Sequence, residues 1–487
     1  MDSLKLMLPA FLLPVILPVT SQTIEYILWI VIIIIVITAV LLACRLKAPE
    51  IVEPLKTSVS HADWTRNMVI YEVNIRQFSE DGSFASVQEA LPRLHELGVN
   101  VLWFMPVYPI GELNRKGELG SYYSIKDFKS INPEFGTIDD FRELVDTAHQ
   151  LGFHVILDWV GNHSAWDNPL AGLFPGWYEK DSLGNFVSPF DWTDVIKLDY
   201  SSEPLWDYMI GAMKYWVADV GVDGYRCDSP GLVPEEFWYR ARTELNTIKP
   251  VLMLAEDEDH SYLLERAFDM NYASAHHHLM NAVAEGRREP AALDSILQYE
   301  LNRYAPDSYR LRFMTNHDEN SWNGTINEKM GNAQKAFAAY LFTIPGVPLL
   351  YNGQEAGLDK RLEFFRHDPI VWHDTDLTSF YTKLVHLRTS HPALRHGLEG
   401  GTYKVINTTN KIVYAYQRIK DDEMILVILN LSNKPVSVAL KDSKTSGSFT
   451  DLFTGNEVRI IPGNKMNMEP WGYMVLTRDS STVRPPE

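Results

Sequence analysis

The 487-residue sequence has only two cysteines, Cys44 and Cys227, so it contains no disulfide framework. Positive charge is also scarce: 63 acidic residues against 44 Lys and Arg give a formal net charge of −19, which argues against binding to nucleic acid phosphates. We find no internal repeat and no low-complexity tract. With 46% hydrophobic residues, the composition is that of a globular chain long enough for one large domain with appendages.

Charge is missing altogether from residues 26–43, which read YILWIVIIIIVITAVLLA. This stretch has the length of a minimal membrane span. Residues 41–44, LLAC, resemble the sequence at which bacterial lipoproteins are cleaved before a lipid-modified cysteine. We therefore predict that residues 1–44 form a signal or membrane-anchor segment. A lipid on Cys44, a retained transmembrane helix and a cleaved leader remain the three alternatives.

Basic residues flank this segment on both sides, with Lys5 before it and Arg45 and Lys47 after it, so the positive-inside rule favours no single orientation. In either anchored form, we predict that the chain is held in the cell envelope with its body on the periplasmic or extracytoplasmic side. Residues 45–66 contain Pro and Lys but no apolar periodicity, and they are predicted to be a linker.

From residue 67 onwards, short β-branched and aromatic runs alternate with amphipathic segments. Strand–helix alternation predicts parallel strands with right-handed crossovers. Eight such units predict an α/β fold of the (β/α)8 TIM-barrel type over residues 67–395, with an open doubly wound sheet as the alternative. The eight runs occupy residues 67–78, 99–107, 153–160, 222–229, 251–257, 267–272, 311–318 and 347–355.

Two further regions depart from this rhythm. Residues 164–202 are rich in Trp, Pro, Gly and Asp, and they are predicted to be a short insertion after the third strand. Residues 396–480 contain strand-like runs divided by turns with no helical stretch between them, so we predict a C-terminal all-β sandwich domain.

Polar residues interrupt the predicted barrel strands at their C-terminal ends. Buried charge costs several kcal/mol unless it is paired, so four strands that carry polar groups at the same end indicate a shared site. In a barrel these ends meet at the face where catalytic sites lie. The residues are Asp158, Asn162 and His163 in the third run, Arg226 and Asp228 in the fourth, Glu256 in the fifth, and Asn316, His317 and Asp318 in the seventh.

Three carboxylates, those of Asp228, Glu256 and Asp318, would then share one pocket with Arg226. Neighbouring like charges raise at least one carboxyl pKa, and an adjacent arginine lowers another. Glycoside hydrolysis needs such a combination, with one carboxylate ionised and another carboxyl group protonated near neutral pH.

Four short motifs carry a family resemblance at this point. DWVGNH (158–163), GYRCDSP (224–230), LAED (254–257) and MTNHDEN (314–320) resemble, in order, the four motif regions of the α-amylase superfamily, glycoside hydrolase family 13. The resemblance covers about residues 65–480 and is greatest to bacterial enzymes of the α-amylase and α-glucosidase type, here with a membrane anchor. It implies a retaining glycosidase that cleaves α-glucosidic bonds, α-1,4 bonds above all, in starch-derived glucans or malto-oligosaccharides.

The resemblance also implies roles for individual residues. Asp228 would be the nucleophile that forms a covalent glycosyl ester, Glu256 the general acid and base, and Asp318 a group that binds sugar hydroxyls more tightly in the transition state. Five further residues would contact the substrate or support those that do. Arg226 would orient Asp228, Asp158 would hold Arg226, His163 and His317 would bind hydroxyl groups, and Tyr123 would stack beneath the sugar ring.

No cofactor is required by this chemistry. Many family members bind calcium through an asparagine, matched here by Asn162, and a histidine four residues after the nucleophile. That later position is Leu232, so calcium is possible but not favoured, and we predict no metal-binding residue.

Several alternatives stay open. A transglycosylase or isomerase would use the same intermediate, and a non-catalytic amylase-like membrane subunit of a transporter would share the fold without the complete catalytic set. Trp166, Trp177 and Trp192 are as compatible with sugar stacking as with a small core of the insertion. The run His276–His278 is predicted to lie on a solvated helix face rather than to bind a metal. The expected partners are an α-glucan substrate and a membrane, but no nucleic acid.

Overall fold

The computed structural model describes residues 29, 31–32 and 57–478. Almost all of the predicted anchor segment, including Cys44, lies outside these residues. Within the described part, no helix combines the length and the apolar character that a bilayer crossing requires.

Eight parallel strands close into a barrel in which each strand pairs with the next and the last pairs with the first. Closure confirms the predicted TIM barrel and rules out the open sheet. All eight runs predicted from the sequence supply a strand. The strands are β1 Ile70–Val73, β2 Val101–Phe104, β3 His154–Val160, β4 Gly224–Asp228, β5 Leu252–Ala255, β6 Met270–Tyr272, β7 Tyr309–Arg312 and β8 Val347–Tyr351.

Alternation along these strands separates two apolar cores. Side chains such as Ile70, Ile156 and Leu254 fill the inside of the barrel. Their sequence neighbours face outwards and pack in a second core with the surrounding helices, and Cys227 belongs to this outer set. Because strand residues alternate in direction, a polar residue two places after an interior apolar residue also points inwards.

The helices around the barrel have ordinary boundary signals. Thr137 and Asp140 form a reciprocal capping box at the start of one helix, and Gly98, with φ 93°, ends another in the left-handed conformation that glycine tolerates. The α-helices are Ile75–Phe78, Phe84–Leu97, Ile138–Gln150, Pro169–Leu173, Glu203–Tyr215, Glu235–Asn246, Leu263–Arg266, Ser274–Ala284, Ala291–Arg303, Ile326–Met330, Gln334–Thr343 and Asp376–Ser390. The shorter helical turns are Asp63–Asn67, Pro175–Trp177, Trp216–Val220, Pro230–Leu232, Glu319–Asn323, Gly331–Ala333, Gln354–Ala356, Pro392–Leu394, Gly397–Glu399 and Ser443–Thr445.

The insertion after β3 is small. Strands His163–Ala165 and Val195–Lys197 pair antiparallel and hold its two ends together, with one short helix and one helical turn between them. The insertion therefore rises from the C-terminal end of β3, next to the face where the polar strand ends meet.

The C-terminal domain is all-β, as predicted. Its larger sheet has six antiparallel strands and its smaller sheet has two, and apolar residues of both pack in one core. In spatial order the large sheet contains Thr402–Val405, Val413–Lys420, Glu423–Asn430, Tyr473–Arg478, Gly447–Asp451 and Glu457–Ile460, and the small sheet contains Val436–Val438 and Met466–Met468.

Candidate active site

The interior positions at the C-terminal ends of β3, β4 and β5 carry charged side chains. Asp158 follows the interior residue Ile156 by two places, and Glu256 follows Leu254 in the same way. On β4, Arg226 and Asp228 both point inwards, and Arg226 pairs in register with Asp158 on β3. Because side chains alternate along each strand, these four charged groups lie together above the apolar residues that fill the barrel.

Arg226 is the centre of this group. Its guanidinium is fully buried and lies 2.8 Å from Asp158 Oδ1, 3.2 Å from Asp228 Oδ1 and 2.5 Å from Glu256 Oε1. One cation therefore faces three carboxyl groups. Such a cluster cannot carry all three negative charges without a large penalty, so at least one carboxyl group is held in its protonated form.

The pKa values of the two central carboxyl groups differ in the way that acid–base catalysis needs. Burial raises the pKa of Asp228 to about 6, with Arg226 opposing the shift. Burial and the charge of Asp228 raise the pKa of Glu256 to about 8, against the same arginine. At pH 7, Asp228 is thus mainly ionised and Glu256 mainly protonated.

The backbone after β4 also contributes to the site. Ser229 has φ 41°, a left-handed conformation that is uncommon for a residue other than glycine. Its amide donates a 3.0 Å hydrogen bond to Glu256 Oε2. Strained backbone of this kind clusters at functional sites, and here it fixes the second oxygen of the Glu256 carboxyl group.

A second chain of contacts runs through His317. Its Nε2 lies 2.8 Å from the Tyr123 hydroxyl and 3.3 Å from Asp318 Oδ2, and its Nδ1 lies 2.5 Å from Glu72 Oε1. Burial lowers the pKa of His317, but the carboxylates of Asp318 and Glu72 outweigh this and raise it to about 9. The imidazole is therefore a cation at neutral pH and donates from both nitrogens.

Tyr123 links this chain to the arginine cluster. Its hydroxyl donates to Asp158 Oδ2 at 3.2 Å while it accepts from His317 Nε2, and its ring stacks on His317 with centroids 5.6 Å apart. Burial raises the pKa of Tyr123 well above its usual range, so the hydroxyl stays protonated. The contacts with Asp158 and His317 thereby fix the position of the Tyr123 ring.

His163 lies on the opposite wall, where the insertion begins. It is buried, and burial lowers its pKa to about 4, so the imidazole is neutral. Its ring meets the edge of Trp192 with centroids 5.4 Å apart. The structure thus brings together all eight predicted site residues, although their individual roles remain predictions.

These residues open into a cleft of about 490 Å³ that contains Tyr123, His163, Asp228, Glu256 and Asp318. This volume falls in the range typical of ligand sites. Among the three tryptophans of the insertion, Trp192 lines the cleft. Trp166 donates instead to the Thr193 carbonyl, and Trp177 stacks on Phe174.

Sequence reasoning missed several residues of this site. Glu72 is one of them, although its position two places after the interior residue Ile70 is the signal that could have indicated its inward direction. Trp322, Phe364 and Phe365 form an aromatic wall of the cleft from the loops after β7 and β8. Loop aromatics carry no periodic signal, so nothing in the sequence placed them there.

The prediction of a solvated face for the histidine run was wrong for two of its three members. His276 and His277 are both 1% exposed, while His278 is exposed. His276 Nε2 lies 2.8 Å from the Tyr340 hydroxyl, and His277 Nδ1 lies 3.1 Å from the Phe313 carbonyl oxygen. His276 thus contacts the helix Gln334–Thr343 and His277 the backbone just after β7, and these polar partners replace water.

Of the two positions matched to a family calcium site, only Asn162 has a side chain that could ligate a cation. Its Nδ2 lies 3.4 Å from His163 Nδ1, and the Leu232 side chain has no oxygen or nitrogen. Across the described residues, no three His, Cys, Asp or Glu side chains are grouped so that they could hold a metal ion.

Two family models match this chain. The model described as the alpha-amylase catalytic domain matches residues 60–170 and 172–377, and the model of the maltogenic amylase C-terminal domain matches residues 403–475.

The curated relatives that are similar over most of the chain include an alpha-amylase and a cyclomaltodextrinase. An alpha-amylase of Haloarcula japonica is 30% identical over 440 residues, which are 87% of this chain and 62% of the relative. A cyclomaltodextrinase of a Bacillus species is 28% identical over 390 residues, which are 72% of this chain and 65% of the relative. The chain thus spans slightly less than two thirds of the length of each.

The solved structures that share this fold over almost their whole length include two with more than 30% identity. A maltogenic alpha-amylase from Thermotoga neapolitana has a TM-score of 0.78 at 31% identity and covers 84% of this chain and 98% of its own. An alpha-amylase from Lactobacillus plantarum has a TM-score of 0.77 at 32% identity and covers 85% of this chain and 99% of its own.

Proposed function

The chain belongs to the alpha-amylase family of glycosidases, and from this we propose that it is a retaining enzyme that cleaves α-glucosidic bonds. Its substrates in this proposal are starch-derived glucans or malto-oligosaccharides joined by α-1,4 bonds. The names of its relatives, which include alpha-amylases, cyclomaltodextrinases and a neopullulanase, support this substrate class.

The first half of the reaction uses both central carboxyl groups. The ionised Asp228 attacks the anomeric carbon, while the protonated Glu256 gives its proton to the oxygen of the departing sugar. The bond between the anomeric carbon and that oxygen breaks, and a β-glycosyl ester of Asp228 remains.

The second half reverses these roles. Glu256, now ionised, takes a proton from water, and the water oxygen attacks the anomeric carbon of the ester. Asp228 leaves as a carboxylate, and Glu256 is protonated again. Two inversions give a product with the original α configuration.

The observation that carries this proposal is the shared contact of Asp228 and Glu256 with Arg226, together with their separated pKa values of about 6 and about 8. Two carboxyl groups that reach one guanidinium stand close together, as a nucleophile and an acid of a retaining glycosidase do. Arg226 keeps its charge at every working pH, so it favours the ionised nucleophile without titrating itself.

The other site residues would hold the reacting sugar. Asp318 and the cationic His317 would bind its hydroxyl groups, and Tyr123 would lie beneath its ring. The neutral His163 would form a hydrogen bond with a hydroxyl group through one ring nitrogen. The Asp318 side chain is 43% exposed towards the cleft, whereas His317 is buried behind it. Hydrogen bonds to a charged acceptor strengthen as the ring gains positive charge, which is the basis of transition-state binding.

The test uses the full chain with starch, malto-oligosaccharides, trehalose and sucrose as substrates. We expect turnover of malto-oligosaccharides, with the first products appearing as α-anomers in proton NMR spectra. No turnover of any of these sugars would contradict the enzyme proposal, and β-anomers as first products would contradict retention. Asp228→Asn should remove the activity, and Asp219→Asn, an exposed aspartate on the outer helices, is the matched control.

A second candidate function is glycosyl transfer or isomerisation through the same ester. A second cavity, of about 180 Å³, is lined by Glu256 and Asp318 together with His277 and His278. A sugar acceptor bound there could replace water in the second step. Products longer than the substrate, or a rearranged disaccharide, would favour this function over hydrolysis. A non-catalytic membrane subunit would give no turnover in the same assay.

The N-terminal segment supports a proposal about location. The uncharged stretch 26–43 and the sequence LLAC favour an anchor in the cell envelope, with the barrel on the extracytoplasmic side. Metabolic labelling with a lipid precursor separates the two anchored forms. Label that is lost in Cys44→Ser indicates a lipoprotein, whereas an unlabelled chain that stays in the membrane fraction indicates a transmembrane helix. An unlabelled chain in the soluble fraction would contradict anchoring.

A further inference from the structure

A cavity of about 310 Å³, here called the junction cavity, lies between the barrel and the C-terminal domain. Tyr309 at the start of β7 and Gly346 just before β8 belong to its lining, so it lies near the amino-terminal ends of the barrel strands. The catalytic carboxyl groups stand at the opposite, C-terminal ends. The C-terminal domain contributes Tyr403 and Arg418 to the lining.

Arg418 is buried beside this cavity without a carboxylate partner. The residue is 2% exposed, and its Nε and Nη1 donate to the carbonyl oxygens of Gly401 and Thr343, both at 3.2 Å. Its Nη2 has no hydrogen-bond partner among the described residues. Burial lowers the pKa of Arg418 to about 10, so the group remains a cation at neutral pH.

Gly400 lies beside Nη2. A Cβ atom added at Gly400 would lie 3.1 Å from Arg418 Nη2 but only 2.2 Å from the Arg395 carbonyl oxygen. Backbone therefore closes this side of the guanidinium, and an acceptor for Nη2 would approach from the cavity that Arg418 lines.

The neighbourhood of Arg418 carries an excess of positive charge. Arg388 is fully buried behind it, and its bonds go to backbone carbonyl groups and to His396. Burial first, and then the charges of Arg418 and Arg312, hold the pKa of Arg388 well below its usual range. His396 is neutral, because burial keeps its pKa well below the usual range.

Glu300, the acidic residue of the cavity lining, and Glu258 are already engaged by other arginines. Glu300 receives both Nη groups of Arg312, at 2.6 and 3.0 Å, and Arg310 contacts Glu258. Two pairs are thus neutralised, and Arg388 and Arg418 remain as two cations without a counter-charge among the described residues. A buried cation without a partner costs several kcal/mol, so the cavity beside it is a place where an anion would be stabilised.

We propose that the junction cavity binds a small oxyanion of the phosphate class, whose oxygens accept hydrogen bonds from Nη2 of Arg418. Arginine suits phosphate because its planar N–H groups match the phosphate oxygens. Arg395 also lines the cavity; its side chain is 49% exposed and lies 3.7 Å from Glu399, so it adds a second guanidinium on the exposed side but not an unpaired charge. Because both domains line the cavity, a bound anion would also hold the C-terminal domain on the barrel. This ligand is separate from the glucan of the catalytic cleft.

The first test is calorimetric titration of the full chain with inorganic phosphate and with glucose 6-phosphate at constant ionic strength. We expect saturable binding at one site and a rise in melting temperature that increases with phosphate concentration. Tighter binding of glucose 6-phosphate would identify a phosphate ester as the ligand, and equal binding would identify free phosphate. Absence of saturable binding of either, or the same response to chloride, would overturn the proposal.

Variants then locate the binding. Arg418→Met should weaken phosphate binding by at least about 10-fold, because it removes the buried donor. Arg459→Met, which removes an exposed positive charge elsewhere on the C-terminal domain, should bind phosphate like the unmodified chain. Equal affinity in Arg418→Met and the unmodified chain would overturn the proposal. Hydrolysis of malto-oligosaccharides checks that both variants are folded.

Two further measurements do not depend on the folding of Arg418→Met. Arg395→Met changes only a surface side chain and should weaken phosphate binding several-fold, and unchanged affinity would argue against entry on that side. A crystal soaked with selenate should give an anomalous peak within hydrogen-bonding distance of Arg418 Nη2. A peak only at other sites would overturn the assignment.

Discussion

Glu72 and His317 lie 245 residues apart in the chain and are joined by a 2.5 Å hydrogen bond between Oε1 and Nδ1. Glu72 is fully buried inside the first barrel strand. Since Nδ1–H is held by this carboxylate, the Nε2–H of His317 is left to face Tyr123 and Asp318 at the cleft. The pair thus fixes both the charge and the direction of a group predicted to bind the substrate.

We expect Glu72→Gln to lower the pKa of His317 from its value of about 9, because a neutral amide no longer stabilises the imidazolium. Glu72 is a positioning residue, so kcat/KM should fall and the fall should become larger as the pH rises and His317 loses its proton. NMR titration of labelled histidine measures the pKa directly. Glu89→Gln, on an exposed helix surface, is the control. An unchanged His317 pKa would show that Glu72 acts only in packing.

The pH profile of kcat/KM should be bell-shaped. Activity needs ionised Asp228, so it should rise as the pH increases through about 6. It also needs protonated Glu256, so it should fall as the pH increases through about 8. The two groups interact, so both limbs belong to the pair. Initial rates over pH 4–10 test this, and an activity that keeps rising above pH 9 would contradict the role of Glu256 as the acid.

The barrel and the charged part of the site could be predicted from the sequence because both follow from local periodicity. Short β-branched and aromatic runs between amphipathic segments marked the eight strands, and Arg226 and Asp228, two places apart, share one strand face. Glu72 shares a strand face with Ile70 in the same way, but a single glutamate in a short strand does not reveal its partner on another strand. Trp322 and Phe364 lie in loops, where tertiary contacts alone decide the direction of a side chain.

The histidine run illustrates the same limit on a helix. Helix periodicity shows that His276, His277 and His278 point in different directions, but it does not show which of them packing buries. The structure buries two of them against Tyr340 and Phe313, and these contacts depend on how the helix is rotated about its own axis. Rotation is set by packing with distant elements, which the local pattern does not contain.

Glu256→Gln should have an effect that depends on the leaving group. For a malto-oligosaccharide, whose departing sugar needs a proton, we expect kcat to fall by about 10²–10⁴-fold. For a nitrophenyl glycoside, whose leaving group departs as an anion, formation of the ester should be much less affected, and the alkaline limb of the profile should disappear. Glu236→Gln, an exposed residue on an outer helix, is the control. Equal losses for both substrates would contradict general acid catalysis by Glu256.

Trp322→Ala should weaken substrate binding more than it slows the reaction. The Trp322 side chain is 52% exposed at the cleft and packs on Phe364 with ring centroids 5.3 Å apart. Loss of the indole ring should raise KM for malto-oligosaccharides by about 10-fold, as expected for one aromatic contact, with little change in kcat. Tyr299→Ala removes an equally exposed ring away from the cleft and should leave KM unchanged. An unchanged KM in Trp322→Ala would place the substrate elsewhere along the cleft.

Asp228→Asn should make the protein more stable at neutral pH while it removes the activity. The folded chain raises the pKa of Asp228 to about 6, above its value in the unfolded chain, because ionisation inside the barrel is unfavourable. Stability is therefore lost as the pH rises from the unfolded pKa to about 6, and the full cost remains at higher pH. This cost is about 3 kcal/mol, and an amide avoids it.

Arg226 keeps Asp158 and Glu256 as partners in this variant, so its own charge remains compensated. Thermal denaturation should thus give a higher melting temperature for Asp228→Asn than for the unmodified chain at pH 8, and nearly equal values at pH 4. Asp219→Asn, at the surface, should show no such pH-dependent difference. If Asp228→Asn is less stable at pH 8, then the ionised carboxylate contributes more to holding Arg226 than its burial costs, and the nucleophile is stabilised rather than strained in the folded chain.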